Sequence, residues 1–120
     1  MKADYDNVIA VRSKEFAIKC IRLYQYLVES KKEFVMSKQL LKSGTSIGAN
    51  VKEALRGQSR ADFGTKMNIA LKEACESEYW FDLLVETDYI SQERYCSMLT
   101  ECKGLIRILT SIVKSTFNHS

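Results

Sequence analysis

Four basic side chains, Lys38, Lys42, Lys52 and Arg56, recur at spacings that bring them to one side of a helix. At about 100° per residue they fall within about 80° of one another, and Lys38 and Arg56 coincide about five turns apart. Eighteen residues of helix rise about 27 Å, long enough to follow several phosphates of a nucleic-acid backbone. Thr45 and Ala49 fill the middle of the stripe, and Arg60 and Lys66 carry the basic character past the next turn. Such a stripe binds backbone charge and does not read base edges. A second set, Asn50, Glu53, Glu73 and Glu78, together with Glu76, reads as a structural polar network. Glu78 interrupts the apolar series Leu71, Ala74, Phe81, Val85. A carboxylate drawn toward a core needs partners, which Asn50 or a serine can supply. A di-iron carboxylate site would want Glu-x-x-His motifs, and the chain has none.

Other chemistry finds little support. The only histidine is His119, and the four cysteines, Cys20, Cys75, Cys96 and Cys102, form no CxxC pair. The cysteines read as reduced, buried small hydrophobes. There is no phosphate loop, GxSxG, HExxH or dinucleotide fingerprint. The expectation is a protein that is not an enzyme and carries no cofactor or metal. Tyr26 and Tyr79 are the surface aromatics that could stack on bases; the other tyrosines and Trp80 read as packing residues. Asp4 and Asp6 near the start are unlike a signal peptide, and no apolar run approaches the ~20 residues of a bilayer span. A cytoplasmic protein with no membrane partner is expected. Net charge is +3, but residues 1–72 carry +7 and residues 73–120 carry −4. That polarity can steer a polyanion to one end or align protomers head to tail.

The elements that position these residues are helices. With 120 residues, 46% of them apolar, and no proline, the chain fits one domain, 1–120, of long uninterrupted helices. Four helical patterns run over 13–31, 35–56, 60–87 and 91–117. Phe16, Cys20, Leu23 and Leu27 form one apolar stripe, with Ala17, Ile21, Tyr24 and Val28 beside it. Leu40, Gly44, Ile47, Val51 and Ala54 line the core side of the second helix, and Gly57 can stop it. Phe63, Met67, Ala70, Ala74, Phe81 and Leu84 face inward on the third, and Tyr95, Cys102, Leu109, Ile112 and Phe117 on the fourth. Ser59-Arg60-Ala61-Asp62 matches a capping box, and Ser91 can cap the last helix. Short connections predict an all-α, antiparallel up-down-up-down four-helix bundle. Gly44 and Gly48 each cost their helix about 1 kcal/mol relative to alanine. Their i, i+4 spacing makes a Cβ-free stripe for close approach of another helix, with Ala70 and Ala74 the expected counterpart. The chain holds more apolar surface than one bundle core needs, which points to a subunit interface.

The segments SKQLLKSGTSIGANVKEA (Ser37–Ala54), SRADF (Ser59–Phe63) and IALKEACESEYW (Ile69–Trp80) closely resemble the bacterial four-helix-bundle proteins, also called the 23S ribosomal RNA intervening-sequence proteins. The resemblance runs from Phe16-Ala17 to ILTSIVK (Ile108–Lys114), with Asn50 and Glu53 matching the family's signature Asn and Glu. Phe34-Val35 stands where many members have a proline before helix 2. Founding members are encoded within intervening sequences of large-subunit ribosomal RNA genes. A related branch, the accessory variability proteins of diversity-generating retroelements, forms pentameric barrels and binds nucleic acid and a reverse transcriptase through basic surfaces. The resemblance implies a homopentamer and a non-catalytic accessory role. Its implied partners are ribosomal RNA or another nucleic acid, or a protein such as a reverse transcriptase. It supplies no catalytic residues. The alternative is a homo-oligomeric protein-interaction scaffold with no nucleic-acid role.

Overall fold

Apolar residues at helical spacing, uninterrupted by proline, produce four long helices. The computed structural model describes residues 4–118, with side chains from Val8 onward. The side chains of Asp4, Tyr5 and Asp6, and all of His119, lie outside the described residues. The helices are α1 (Asp4–Glu29), α2 (Met36–Leu55), α3 (Arg60–Glu86) and α4 (Gln92–Phe117), with no strand among the described residues. Helix α1 starts well before the expected Ser13. Its apolar period extends back to Ile9, which is fully buried one heptad before Phe16. Ser13 caps nothing; it is buried in mid-helix, and its hydroxyl donates to the Ala10 carbonyl at 3.3 Å.

Contacts pair rising numbers on one helix with falling numbers on the next. Ser13 and Cys20 lie against Gly48 and Gly44. Ser43 meets Ser77, and Glu53 meets Lys66. Ala74 meets Cys102, and Asp82 meets Tyr95. Consecutive helices therefore run antiparallel, in a body of 48 × 20 × 20 Å. The α1–α4 side is the thinnest of the four. It is held by a Lys19–Glu101 ion pair, by Arg94 lying 4.2 Å over the Tyr26 ring, and by Arg12 against Gly104. Inside, Phe16 and Phe81 meet edge to face, centroids 6.1 Å apart, among leucines, Ile47 and Met67. Phe117 is an exception to the expected inward set: it covers Gly64 yet stays exposed.

Local chemistry sets the helix ends. Ser59 accepts from the Asp62 amide at 3.0 Å and Ser91 from the Arg94 amide at 3.1 Å, as their spacing predicts, but the return half of the expected capping box, from the Ser59 amide to the Asp62 carboxylate, is not formed among the described residues. Gly57, by contrast, does not stop α2 through a left-handed backbone; among the described residues the left-handed ones are Lys32 (φ 56°) and Asp88 (φ 65°), just past the ends of α1 and α3. Only Cys20 and Cys102 are buried, whereas Cys75 and Cys96 are exposed, which corrects the reading of all four as core residues. Burial drives the Cys20 thiol far up and the Cys102 thiol up to about 12, so both are inert packing groups.

The glycine stripe faces α1, not α3. A Cβ on Gly44 would lie 2.5 Å from Cys20 Sγ and 2.9 Å from Cys20 Cβ. Ala70 and Ala74 are buried in α3 but are not its counterpart; the Ala74 carbonyl accepts from Cys102 Sγ at 3.2 Å. Helix geometry gives the reason. Ser43 bonds to α3, and Gly44 is turned about 100° from Ser43, toward α1. At Gly48 an added Cβ would meet Ser13 at 3.5 Å, an ordinary contact. Gly44→Ala should therefore lower stability by about 1–3 kcal/mol through overpacking. Gly48→Ala should instead gain up to about 1 kcal/mol from helix propensity. Thermal and urea unfolding of the two variants checks this; equal effects would show that the two glycines share one environment.

Candidate nucleic-acid interface

The basic helix is anchored at its start by a residue that sequence reasoning missed. Glu33 is 7% exposed, and its carboxylate accepts from the amides of Val35 (3.2 Å), Met36 (3.0 Å) and Ser37 (2.7 Å). The Ser37 hydroxyl donates back to the Glu33 carbonyl at 2.7 Å. These are the orphan donors of the first turn of α2, whose flanking residue Val35 has no side-chain cap to offer. Burial pushes the Glu33 carboxyl up, but the three amides and Ser37 outweigh it and hold it below the ordinary carboxylate value. The available signal was a glutamate followed four residues later by a serine. That spacing matches no standard capping box.

From this anchor, α2 points Lys38, Lys42, Lys52 and Arg56 into solvent, all exposed and on the side opposite the core residues Leu40, Ile47 and Val51. Among the described residues none of the four is in an ion pair. Lys52 and Arg56 are joined by Lys14 of α1 along a groove of about 520 Å³. Small residues, Ala10, Ala17, Gly48 and Ala49, line that groove. Lys14 was invisible as a member of the site, because only the antiparallel seating of α1 brings it beside α2.

Arg60 and Lys66 do not extend the stripe. Arg60 donates to the carbonyls of Thr116 (3.3 Å) and Ser115 (3.5 Å), where it closes the end of α4. Lys66 pairs with Glu53 at 3.1 Å. The turn after α2 folds α3 back along its other flank, so these cations serve helix ends and helix pairing.

The polar set does not form one connected network. Asn50 donates to the Ser46 carbonyl of its own helix at 2.9 Å, and Glu53 is taken by Lys66. The Glu73 carboxyl is pushed up by burial and then by Glu76, against the pull of Lys42. Glu78 is half-buried, and no hydrogen bond among the described residues joins it to the other three. The buried polar link lies elsewhere, at Ser43 and Ser77, both fully buried with hydroxyls 2.8 Å apart. Either hydroxyl can donate to the other, since each also has a carbonyl of its own helix within reach: Glu73 at 2.9 Å for Ser77 and Leu40 at 3.3 Å for Ser43.

Of the surface aromatics, Tyr26 is half-buried beneath Arg94. Tyr79 is exposed, edge-on to Trp80 at 5.4 Å. Tyr95 donates to Asp82 at 2.7 Å, and that bond, with burial and the nearby carboxylate charge, pushes its hydroxyl up to about 12. Among the described residues no group of His, Cys, Asp and Glu gathers to hold a metal ion. No helix among them is long and apolar enough to cross a membrane.

A family model described as 23S rRNA-intervening sequence protein matches residues 5–111. The fold is similar to that of a solved protein of unknown function from the S23 ribosomal protein family of Bacteroides thetaiotaomicron. The two share 55% sequence identity over 92% of this chain and 98% of the other, with a TM-score of 0.90. No curated protein matches the chain.

Glu33 gives the site a pH signature. Its folded pKa lies below the unfolded value, so its contribution is complete above the ordinary carboxylate range, about pH 4.3, and fades as pH falls through the lowered folded value. Glu33→Gln should cost about 0.5–2 kcal/mol at pH 7, the worth of a helix cap. The gap from wild type should close in acid, as followed by urea midpoints at pH 7 and below pH 4. A gap independent of pH would show that the charge of Glu33 plays no part.

Proposed function

The chain belongs to the 23S rRNA-intervening sequence protein family, and from that membership and the exposed cations of α2 we propose a non-catalytic, homo-oligomeric accessory protein that associates with RNA or another nucleic acid. The observation that carries this reading is the exposed row of Lys38, Lys42, Lys52 and Arg56, none of them in an ion pair among the described residues, although Lys42 acts on the nearby Glu73 carboxyl. Such a row binds by neutralising phosphates and releasing condensed counterions. It tolerates sequence, because nothing in it reads base edges. Ribosomal RNA is the first candidate, and the family's retroelement branch makes a reverse transcriptase the first protein candidate. A cytoplasmic site of action goes with these partners.

Self-association is supported by apolar side chains on the outside of α1. Val11, Ile18 and Ile21 are exposed there, beside the small-residue groove shared with α2. Two copies of that face meeting about a two-fold axis would bring Lys14, Lys52 and Arg56 near their own counterparts. A contact between this face and the acidic second half of the next chain avoids that repulsion. Head-to-tail contacts of this kind form rings where the rotation between protomers closes, and the pentamer is the ring that the family resemblance favours. The same apolar face also fits the second reading, an oligomeric protein-interaction scaffold that binds no nucleic acid.

Two measurements separate these readings. Light scattering on a sizing column should give a mass near five protomers, and a monomer at tens of micromolar would overturn the ring. Titration of structured RNA and duplex DNA at two salt concentrations should show binding that falls steeply with salt. Changing Lys38, Lys42, Lys52 and Arg56 together to Gln should flatten the log–log salt slope on duplex DNA by about 0.9 per lost phosphate contact. An unchanged slope would remove this face as the site. No binding by wild type at low salt would leave the scaffold reading.

A further inference from the structure

We propose that the turn between α1 and α2 is a base-stacking contact for unpaired nucleic acid. In it, Phe34 takes a nucleobase on its ring while Lys31, Lys32 and Lys38 hold the flanking phosphates. The proposal rests on reading the α2 face as nucleic-acid-associated, and it adds the class of strand that face prefers. Phe34 is 57% exposed and Val35 72% exposed, in a chain whose other phenylalanines, Phe117 apart, are buried or half-buried. Phe34 and Val35 are adjacent, so they expose apolar surface together and not as a single scattered side chain.

This turn is rigid. Glu33 is buried beneath it, with its carboxylate on the amides of Val35, Met36 and Ser37. Its own amide donates to the Leu27 carbonyl at 2.9 Å, which ties the turn to the end of α1. Anchoring Glu33 inward leaves Phe34 and Val35 facing out. A ring presented in this way loses little freedom when a base covers it, which is the advantage of preorganisation.

Charge sets the kind of ligand. Lys31, Lys32 and Lys38 are exposed around the two apolar residues, and among the described residues none is in an ion pair. The negative charge of Glu33 is taken up by backbone amides, which leaves Glu29 as the exposed carboxylate of this turn. The α3–α4 turn at the same end of the bundle is acidic, with Glu86 and Asp88 exposed. A polyanion seated at Phe34 is therefore directed away from that turn and along α2, where Lys38 begins the basic row. An aromatic ring flanked by cations is the recurring platform for single strands, because every base offers a π-face and the charges follow the backbone. A paired base has its faces covered by its neighbours and cannot use the ring. Two apolar side chains on a turn also fall short of the continuous apolar helix face that holds a protein at a lipid surface.

The test compares wild type, Phe34→Ala and Phe34→Trp in fluorescence titrations. The probes are a 12-nucleotide single-stranded RNA carrying 2-aminopurine and a blunt duplex RNA, both at low salt. Phe34→Ala should weaken single-strand binding roughly 5- to 150-fold, the range that stacking contacts span. It should leave duplex binding unchanged. Phe34→Trp should restore the single-strand affinity, and its indole emission should be quenched on binding. Equal single-strand affinity for wild type and Phe34→Ala, with duplex binding still sensitive to the α2 cations, would overturn the stacking contact and leave the broader reading standing. Failure of wild type to bind either RNA would overturn both. A change in oligomer mass on Phe34→Ala, or binding of the wild type to phosphatidylserine vesicles that Phe34→Ala abolishes, would assign the turn to self-contact or to a membrane and overturn the proposal.

Discussion

The close contact of α1 and α2 at Gly44 sets the geometry on which the rest of the surface depends. No Cβ stands between the α2 backbone and the buried Cys20, so the two helices approach at that point more closely than any larger residue would allow. An α-helix is stiff, so fixing one residue's direction fixes all the others. With Gly44 against α1, Ser43 is turned to α3, Ile47 and Val51 fall into the core, and the lysines are left outside. The cationic row is thus a consequence of how the opposite side of the helix packs. At Gly64 and Gly104 the missing Cβ instead makes room for side chains, Phe117 and Thr116 at the first and the Arg12 guanidinium at the second.

What could be read from the sequence follows from what a helical period encodes. Spacing tells which residues share a face, so Phe16, Cys20, Leu23, Leu27, Leu40, Ile47 and Val51 were recognisable as core, and all are buried. Caps at Ser59 and Ser91 were recognisable because their partners lie three residues away. Spacing does not tell which neighbour a face meets. That is why the glycine stripe was assigned to Ala70 and Ala74 when it belongs to Ser13 and Cys20. It is also why Lys14 was missed and why Arg60 and Lys66 were placed on a row that they leave. Their carbonyl and carboxylate partners sit on other helices or across a turn, where one-dimensional spacing carries no information.

Buried polar groups add specificity to apolar packing. A hydrogen bond between Ser43 and Ser77 exists at one register only, so it reinforces the register that core packing also favours. Breaking it leaves a buried hydroxyl without its partner, which costs more than the bond contributes when made. Glu33 acts in a comparable way at the start of α2, where it fixes the point at which the helix begins. Together, one anchor at the helix start and one cross-link at mid-length determine how far α2 is advanced along its neighbours.

These constraints account for a helix whose own sequence resists helix formation. Between Ser43 and Asn50, α2 carries Ser43, Gly44, Thr45, Ser46, Gly48 and Asn50, each a poorer helix former than alanine. Several of their polar groups turn back on the helix itself, with Thr45 donating to Leu41, Ser46 to Lys42 and Asn50 to Ser46. Such bonds satisfy the side chains without strengthening the helix. The stability of α2 must then come from packing against α1 and α3, as is usual for helices in proteins. A helix held in this way can give up bulk on its inner side for close approach while its outer side stays charged. The small residues that weaken it as an isolated segment are the ones that seat it in the bundle and turn its cations outward.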